Sequence, residues 1–203
     1  MYCPPAFAED RRDVMAALIG RWPLGLLISA GAGMPVANPV PFQLTPDGRH
    51  LRAHLARANP QLADLRVAGQ ALVVFQGEQA YISPGWYATK RDSGKVVPTW
   101  NYLMVQVQGR VQLTDDAGWL RDQIDALTTR MEAAQPDPWA VADAPEPFVA
   151  AQLRGIIGLE IEIETMRGKW KAGQNRTAAD RAGVAQALAP THPALASAAT
   201  GEA

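Results

Sequence analysis

Apolar residues recur along this chain with two distinct periods, and the switches between them mark out its elements. In residues 9–22, Val14, Leu18, Ile19 and Trp22 fall three to four apart, with Arg11, Arg12 and Asp13 on the other side. That spacing predicts a helix, which Pro23 ends. Residues 24–29 form a short apolar run and predict a strand. Residues 36–44 predict a second, confined to an edge or an irregular path by Pro35, Pro39 and Pro41. Pro46-Asp47-Gly48 is a turn signal, and residues 50–55 alternate as a third strand. Asn59 and Pro60 suit the N-cap and first position of a helix that Gly69 closes. Residues 71–75 read as a buried strand that pairs with residues 79–83 across Gln76-Gly77-Glu78.

Alternation is clear from 99 to 113, with Val105, Val107, Val111 and Leu113 against Gln106, Gln108 and Gln112, and Gly109 marking a bulge. Asp115 or Asp116 caps a helix to about residue 134, striped by Leu120, Ile124, Leu127 and Met131. A proline-rich loop at 136–147 precedes a short helix before Gly155. Residues 157–165 set Leu159, Ile161 and Ile163 against Glu160, Glu162 and Glu164, a half-buried strand with an acidic outer face. Residues 168–176 read as a basic loop. A last helix starts at Asn175 or Thr177 and runs to about 188. About six antiparallel strands with peripheral helices predict an α+β protein, a small barrel with helices outside. The expected organisation is one domain over 1–188 and a flexible C-terminal tail over 189–203.

The formal net charge of −1 supplies no global basic field, so non-specific nucleic-acid binding driven by net charge is excluded. Cys3 stands alone, which rules out an intrachain disulfide or a cysteine zinc cluster and fits a reducing cytoplasm. No apolar run approaches the ~18 residues of a membrane span. Neither GxGxxG nor a Walker loop is present.

Four segments carry the candidate chemistry. Residues 81–102, YISPGWYATKRDSGKVVPTWNY, combine five aromatic rings with Lys90, Arg91 and Lys95 and with hydroxyls. Flat apolar surface beside cations suits a planar, phosphate-bearing cofactor. Trp86 and Tyr87, after Pro84-Gly85, read equally as a ligand wall, a subunit interface or core. Thr99 and Asn101 offer hydrogen bonds to a heterocycle rim while Trp100 packs. In HLARANPQ, Arg57 lies two residues before the cap of a helix whose first N–H groups are free, a natural phosphate site to which His54 adds a donor. Arg57 as a solvated loop arginine and Asn59 as a plain cap account for that octapeptide as well. RGKWKAGQNR, from Arg167 to Arg176, holds four cations and no acid, with Gln174 and Asn175 as amide donors and acceptors. It reads as an anion site or as a solvated basic loop. The Glu160, Glu162, Glu164 row reads as an exposed strand face and not as a metal site.

Taken in order, MYCPPAF, HLARANPQ, VVFQGEQAYISPGWYATK, GKVVPTWNY, VQGRV, PWAVADAP and GKWKAGQNRTAADRAGV resemble the PaiB family of FMN-binding negative transcriptional regulators, from Met1 to about Leu188. The resemblance implies a split β-barrel flavoprotein fold, similar to pyridoxamine-phosphate oxidase and flavin-reductase-like proteins, and a homodimer with FMN in a cleft between subunits. It implies that Arg57, with His54 and Asn59, holds the FMN phosphate. Thr99 and Asn101 would approach the isoalloxazine or ribityl chain, with Trp100 shaping the wall. Lys169, Gln174 and Asn175 would come from the second subunit. Gly173 stands where the family usually has Ser, and Asn38 where it often has His. The function implied is that of a cytoplasmic FMN-binding regulator with a DNA or regulatory protein partner. The alternative is an FMN-dependent oxidoreductase or flavin reductase.

Overall fold

A computed structural model describes residues 1–31 and 33–201. In chain order its elements are β1 (Ala8–Glu9), α1 (Arg12–Arg21), β2 (Leu24–Ser29), β3 (Val36–Pro41), β4 (Gln43–Leu44), β5 (His50–Ala56), α2 (Gln61–Ala68), β6 (Gln70–Ile82), α3 (Thr89–Asp92), β7 (Thr99–Thr114), α4 (Ala117–Glu132), α5 (Glu146–Arg154), β8 (Ile156–Lys171), α6 (Ala178–Leu188) and α7 (Pro193–Thr200). Among the described residues the strands form an eight-stranded antiparallel sheet, in the order β3-β2-β6-β7-β8-β5-β4, with β1 beside β8. This is the α+β class expected. The expected strand at 36–44 is split into β3 and the two-residue β4, those at 71–75 and 79–83 are one strand, β6, and the two-residue β1 is unexpected. Where the sequence suggests one domain over 1–188, the chain divides into two compact units.

Unit 2 comprises residues 23–74 and 107–166. Leu27, Phe42, Leu51, Val73, Leu159 and Ile161 are fully buried in it. β5 alternates as its sequence demands: Leu51, Ala53 and Leu55 are buried, and Arg52 and His54 lie on the other face. The β5–β8 register sets Arg52 opposite Glu160, and the two side chains pair at 2.5 Å. Arg110 pairs with Glu162 and Glu164, so the acidic face of β8 is matched by arginines. β3, with Pro39 and Pro41, is an edge strand, where a missing N–H breaks no ladder bond. α2 starts one residue later than expected. Asn59 still caps it, its Oδ1 accepting from the Gln61 N–H at 2.9 Å, and Gly69 ends it at φ +64.

Unit 1 comprises residues 1–22, 75–106 and 167–203. Ile19, Phe75, Ile82, Val105 and Leu195 are fully buried in it. The hairpin expected across Gln76-Gly77-Glu78 is absent, because β6 runs unbroken from Gln70 to Ile82. A Cβ at Gly77 would sit 3.1 Å from Leu18 Cδ1 and 3.4 Å from Leu103, so this glycine serves a close approach and not a turn. The basic loop expected at 168–176 is in fact strand as far as Lys171. Residues 193–200, expected within a tail, form α7, with Leu195, Ala196, Ala198 and Ala199 buried. The Glu78 carboxylate accepts from the Leu195 N–H at 2.9 Å, placing negative charge at the start of that helix. Asp180 of α6 accepts from Thr89 N–H at 2.9 Å and from Thr89 Oγ1 at 2.8 Å, which fastens α3 to α6.

Candidate functional site

Within unit 1, the start of β7, the end of β8 and the turn before α6 open onto one cleft of about 220 Å³, lined by Tyr87, Thr99, Asn101, Lys171, Asn175 and Arg176 among others. The Lys171 ammonium donates to Thr99 Oγ1 at 2.7 Å and to the Trp100 carbonyl. Burial pushes this lysine below its ordinary pKa, and the charges of Lys169 and Arg176 add to the effect. The Arg176 guanidinium lies 4.9 Å over the Tyr87 ring. Burial raises the Tyr87 phenol, against the opposing pull of Arg176. Asn101 is 3 % exposed and forms part of the cleft wall. Its amide borders the cleft and is not among the buried side-chain atoms left without a partner. Beside it, the Arg181 Nε is buried without a partner.

Burial works to raise the Asp180 carboxyl, but the bonds from Thr89 and Thr177 and the charge of Arg176 outweigh it, so its pKa falls below the ordinary value. Gly173 turns the chain at φ +86. A Ser there, as the family usually has, would be strained in this conformation. The turn is closed by Gln174, whose Oε1 accepts from Ala172 N–H at 2.9 Å and whose Nε2 donates to Trp170 O at 2.5 Å.

Of the residues singled out from the sequence, Thr99, Asn101 and Asn175 share this cleft. Gln174 is committed to its own turn. Lys169 is buried and donates to Tyr2 O at 3.0 Å, with its ammonium 5.3 Å over the Tyr102 ring. Trp86 closes a single turn, Pro84–Trp86, and its carbonyl packs on Gly183. Trp100 is 56 % exposed and meets Tyr81 edge-on at 6.2 Å. The other three lie in unit 2. Arg57 donates to the carbonyls of Arg154 at 3.0 Å and Ile156 at 3.3 Å, and lines a separate cleft of about 450 Å³ with Asp115, Arg121 and Glu146. The His54 Nδ1 lies 2.8 Å from Gln123 Oε1, and Asn59 caps α2. Lys171 and Arg176 belong to the four-cation segment read as an anion site, and Tyr87 is one of the two rings read as a ligand wall; all three line this cleft. The donor set of the unit 1 cleft fits FMN: two cations suit a phosphate, and an amide and a hydroxyl suit the polar rim of the ring or the ribityl chain.

Known proteins resemble this chain along most of its length. Residues 1–165 match the family profile described as "Putative FMN-binding domain". An uncharacterized protein of Emericella nidulans is 32 % identical, over 91 % of this chain and 88 % of its own length. The Bacillus subtilis protease synthase and sporulation protein PAI 2 is 27 % identical, over 93 % and 89 %. Among solved structures, the FAD and heme binding protein of Mycobacterium smegmatis aligns with a TM-score of 0.61 at 20 % identity, covering 82 % of this chain and 74 % of that one. That likeness is one of fold, the split barrel of flavin-binding proteins. Among the described residues, no helix is long and apolar enough to cross a membrane. The chain belongs to the PaiB-like family of FMN-binding proteins, and FMN is its cofactor.

Proposed function

We propose that the chain is a homodimeric FMN-binding regulator of the PaiB type, cytoplasmic, in which flavin occupancy governs contact with a DNA or regulatory protein partner. The observation that carries the reading is the cleft itself, where the cations Lys171 and Arg176 stand beside the amide of Asn101 and the hydroxyl of Thr99. Two cations, an amide and a hydroxyl converging on one cleft suit a phosphate-bearing ligand. The cleft's 220 Å³ is below the roughly 300–1,000 Å³ usual for small-molecule sites. A second surface is therefore needed to enclose FMN, and a second copy of the chain is the partner proposed.

Within this reading Thr99, Asn101 and Asn175 bond the polar edge of the cofactor, while Tyr87 backs Arg176. The donors of unit 2, His54, Arg57 and Asn59, stand as a second set. For Arg57 to take a phosphate it must exchange the Arg154 and Ile156 carbonyls for the ligand. When bound, FMN supplies electron or hydride transfer. The name of the Bacillus subtilis relative, tied to protease synthesis and sporulation, supports the regulatory half of the proposal.

Titration of the purified protein with FMN, followed by flavin fluorescence, is expected to saturate, and Asn101→Leu is expected to weaken binding about tenfold. Unchanged affinity in Asn101→Leu would remove this cleft as the flavin site. The alternative, an FMN-dependent oxidoreductase or flavin reductase, draws support from the Lys171 ammonium, since a cation beside a flavin favours its reduced, anionic form. The two readings separate in solution. The regulator gives a salt-sensitive mobility shift on a defined operator, or capture of a protein partner, that changes with FMN occupancy. Steady NAD(P)H consumption dependent on bound FMN, with no such shift, selects the enzyme.

A further inference from the structure

We infer that Lys171 and Arg176, with the amide of Asn101, form an oxyanion subsite that takes a phosphate or carboxylate group. FMN's own phosphate is one source of that group, and in that case the inference rests on the reading above. A small free anion is the other. The two cations reach the cleft from different places, the last residue of β8 and the turn before α6, because Gly173 reverses the chain between them at φ +86. Neither makes an ion pair among the described residues. Asp180, whose carboxylate feels the charge of Arg176, already accepts from Thr89 N–H and Thr89 Oγ1. It moderates the positive charge without cancelling it.

Lys171 spends two of its three N–H groups on neutral acceptors, Thr99 Oγ1 and the Trp100 carbonyl. These hold the ammonium in place and leave one donor for a ligand. Arg176 is held over the Tyr87 ring, and the Asn101 amide opens on the same cleft. Fixed, partly desolvated cations beside an amide donor describe a site in which an anion balances the charge and accepts from the free N–H groups. By contrast, Arg57 is exposed and already donates to two carbonyls. The size agrees as well: 220 Å³ accommodates a phosphate or a short carboxylate.

The test uses the full chain and four variants, Lys171→Met, Arg176→Gln, Arg176→Lys and Arg57→Ala, with folding checked by far-ultraviolet circular dichroism. FMN and riboflavin are titrated by fluorescence, and inorganic phosphate is tested by its effect on the melting temperature. If FMN supplies the anion, Lys171→Met and Arg176→Gln weaken FMN about tenfold or more, leave riboflavin unchanged, and Arg176→Lys recovers part of the loss. If the anion is free, both flavins bind as in the parent, while stabilisation by phosphate disappears in the same two variants. Equal weakening of FMN and riboflavin with the phosphate effect intact overturns the inference, as does no change at all, or an FMN loss confined to Arg57→Ala. A parent protein that binds no flavin yet keeps a Lys171-dependent phosphate effect would sink the FMN reading and leave the subsite standing.

Discussion

Gly109→Ala is expected to destabilise the protein by about 3 kcal/mol, and with it the melting temperature should fall by roughly 6–12 °C. Gly109 lies in β7 with its Cα against the backbone of β8. A Cβ there would fall well inside the contact distance of the Glu162 carbonyl oxygen, 2.8 Å from the carbonyl carbon and 2.9 Å from Ile161 Cγ2. The obstruction is mainly backbone, so no rotamer change relieves it. β8 would have to move, and its register with β5, which sets Arg52 opposite Glu160 and His50 opposite Glu162, would move with it. Ile161 is fully buried, so the displacement would be felt in the core of unit 2. Gly33→Ala is the matched control: nothing lies within 4 Å of its added methyl, and its stability should stay within about 0.5 kcal/mol of the parent. Urea unfolding of both variants checks the expectation. A Gly109→Ala protein as stable as Gly33→Ala would mean that the two strands do not approach so closely.

The same glycine shows where sequence reading stops. A short apolar run is enough to find β2, and period-two alternation is enough to find β5, most of β7 and the first half of β8, because each of these three buries one face. It could not say what a glycine inside such a run was for. Gly109 looked like a bulge and Gly77 like part of a turn, yet both are places where a neighbour comes too near for a side chain. In one sequence these uses leave the same letter. α7 escaped for a different reason. Apart from Leu195, its buried positions are Ala196, Ala198 and Ala199, which pack closely but carry little apolar signal. The carboxylate at its start comes from Glu78, far away in the chain, and long-range caps leave no local mark.

The candidate site was legible as chemistry and illegible as direction. Thr99, Asn101 and Asn175 could be named because their motifs combine amides and hydroxyls with aromatic rings. Reading 168–176 as a loop concealed the strand period that puts Lys169 and Lys171 on one side and Trp170 on the other. In the structure both ammonium groups lie over the Tyr102 ring, at 5.3 and 6.0 Å, while Trp170 is buried. Lys169 then turns to the Tyr2 carbonyl, and Lys171 goes to the cleft. Gln174 had the right chemistry for a ligand, but its amide closes the turn made at Gly173. Nothing in the motif alone distinguishes an amide that holds a turn from one that holds a ligand.

Gln61 carries the other large expectation. It ends the HLARANPQ motif, is 1 % exposed, and joins α2 to β2 and β3. Its Nε2 lies 3.1 Å from Leu27 O, 3.2 Å from Ser29 Oγ and 3.3 Å from Val36 O, and its Oε1 accepts from Asn38 Nδ2 at 2.9 Å. Asn38 is the residue that departs from the family's frequent His, and here its role is to meet Gln61. Gln61→Leu keeps most of the volume and removes every one of these links at once. The Asn38 amide loses its partner, and the Leu27 and Val36 carbonyls each lose a donor. The cost should be about 3 kcal/mol, since leaving buried polar groups unpaired is worse than never having had them. Gln61→Glu separates polarity from charge. Its carboxylate would still accept from Asn38 but would face the Leu27 and Val36 carbonyls, which raises its pKa in the folded state. Protonation then favours folding, so this variant should be destabilised at neutral pH and recover as pH falls toward about 4. Urea unfolding across that range is the measurement. If Gln61→Leu matches the parent, or if Gln61→Glu loses stability toward acid relative to the parent, the amide does not tie the helix to the edge of the sheet.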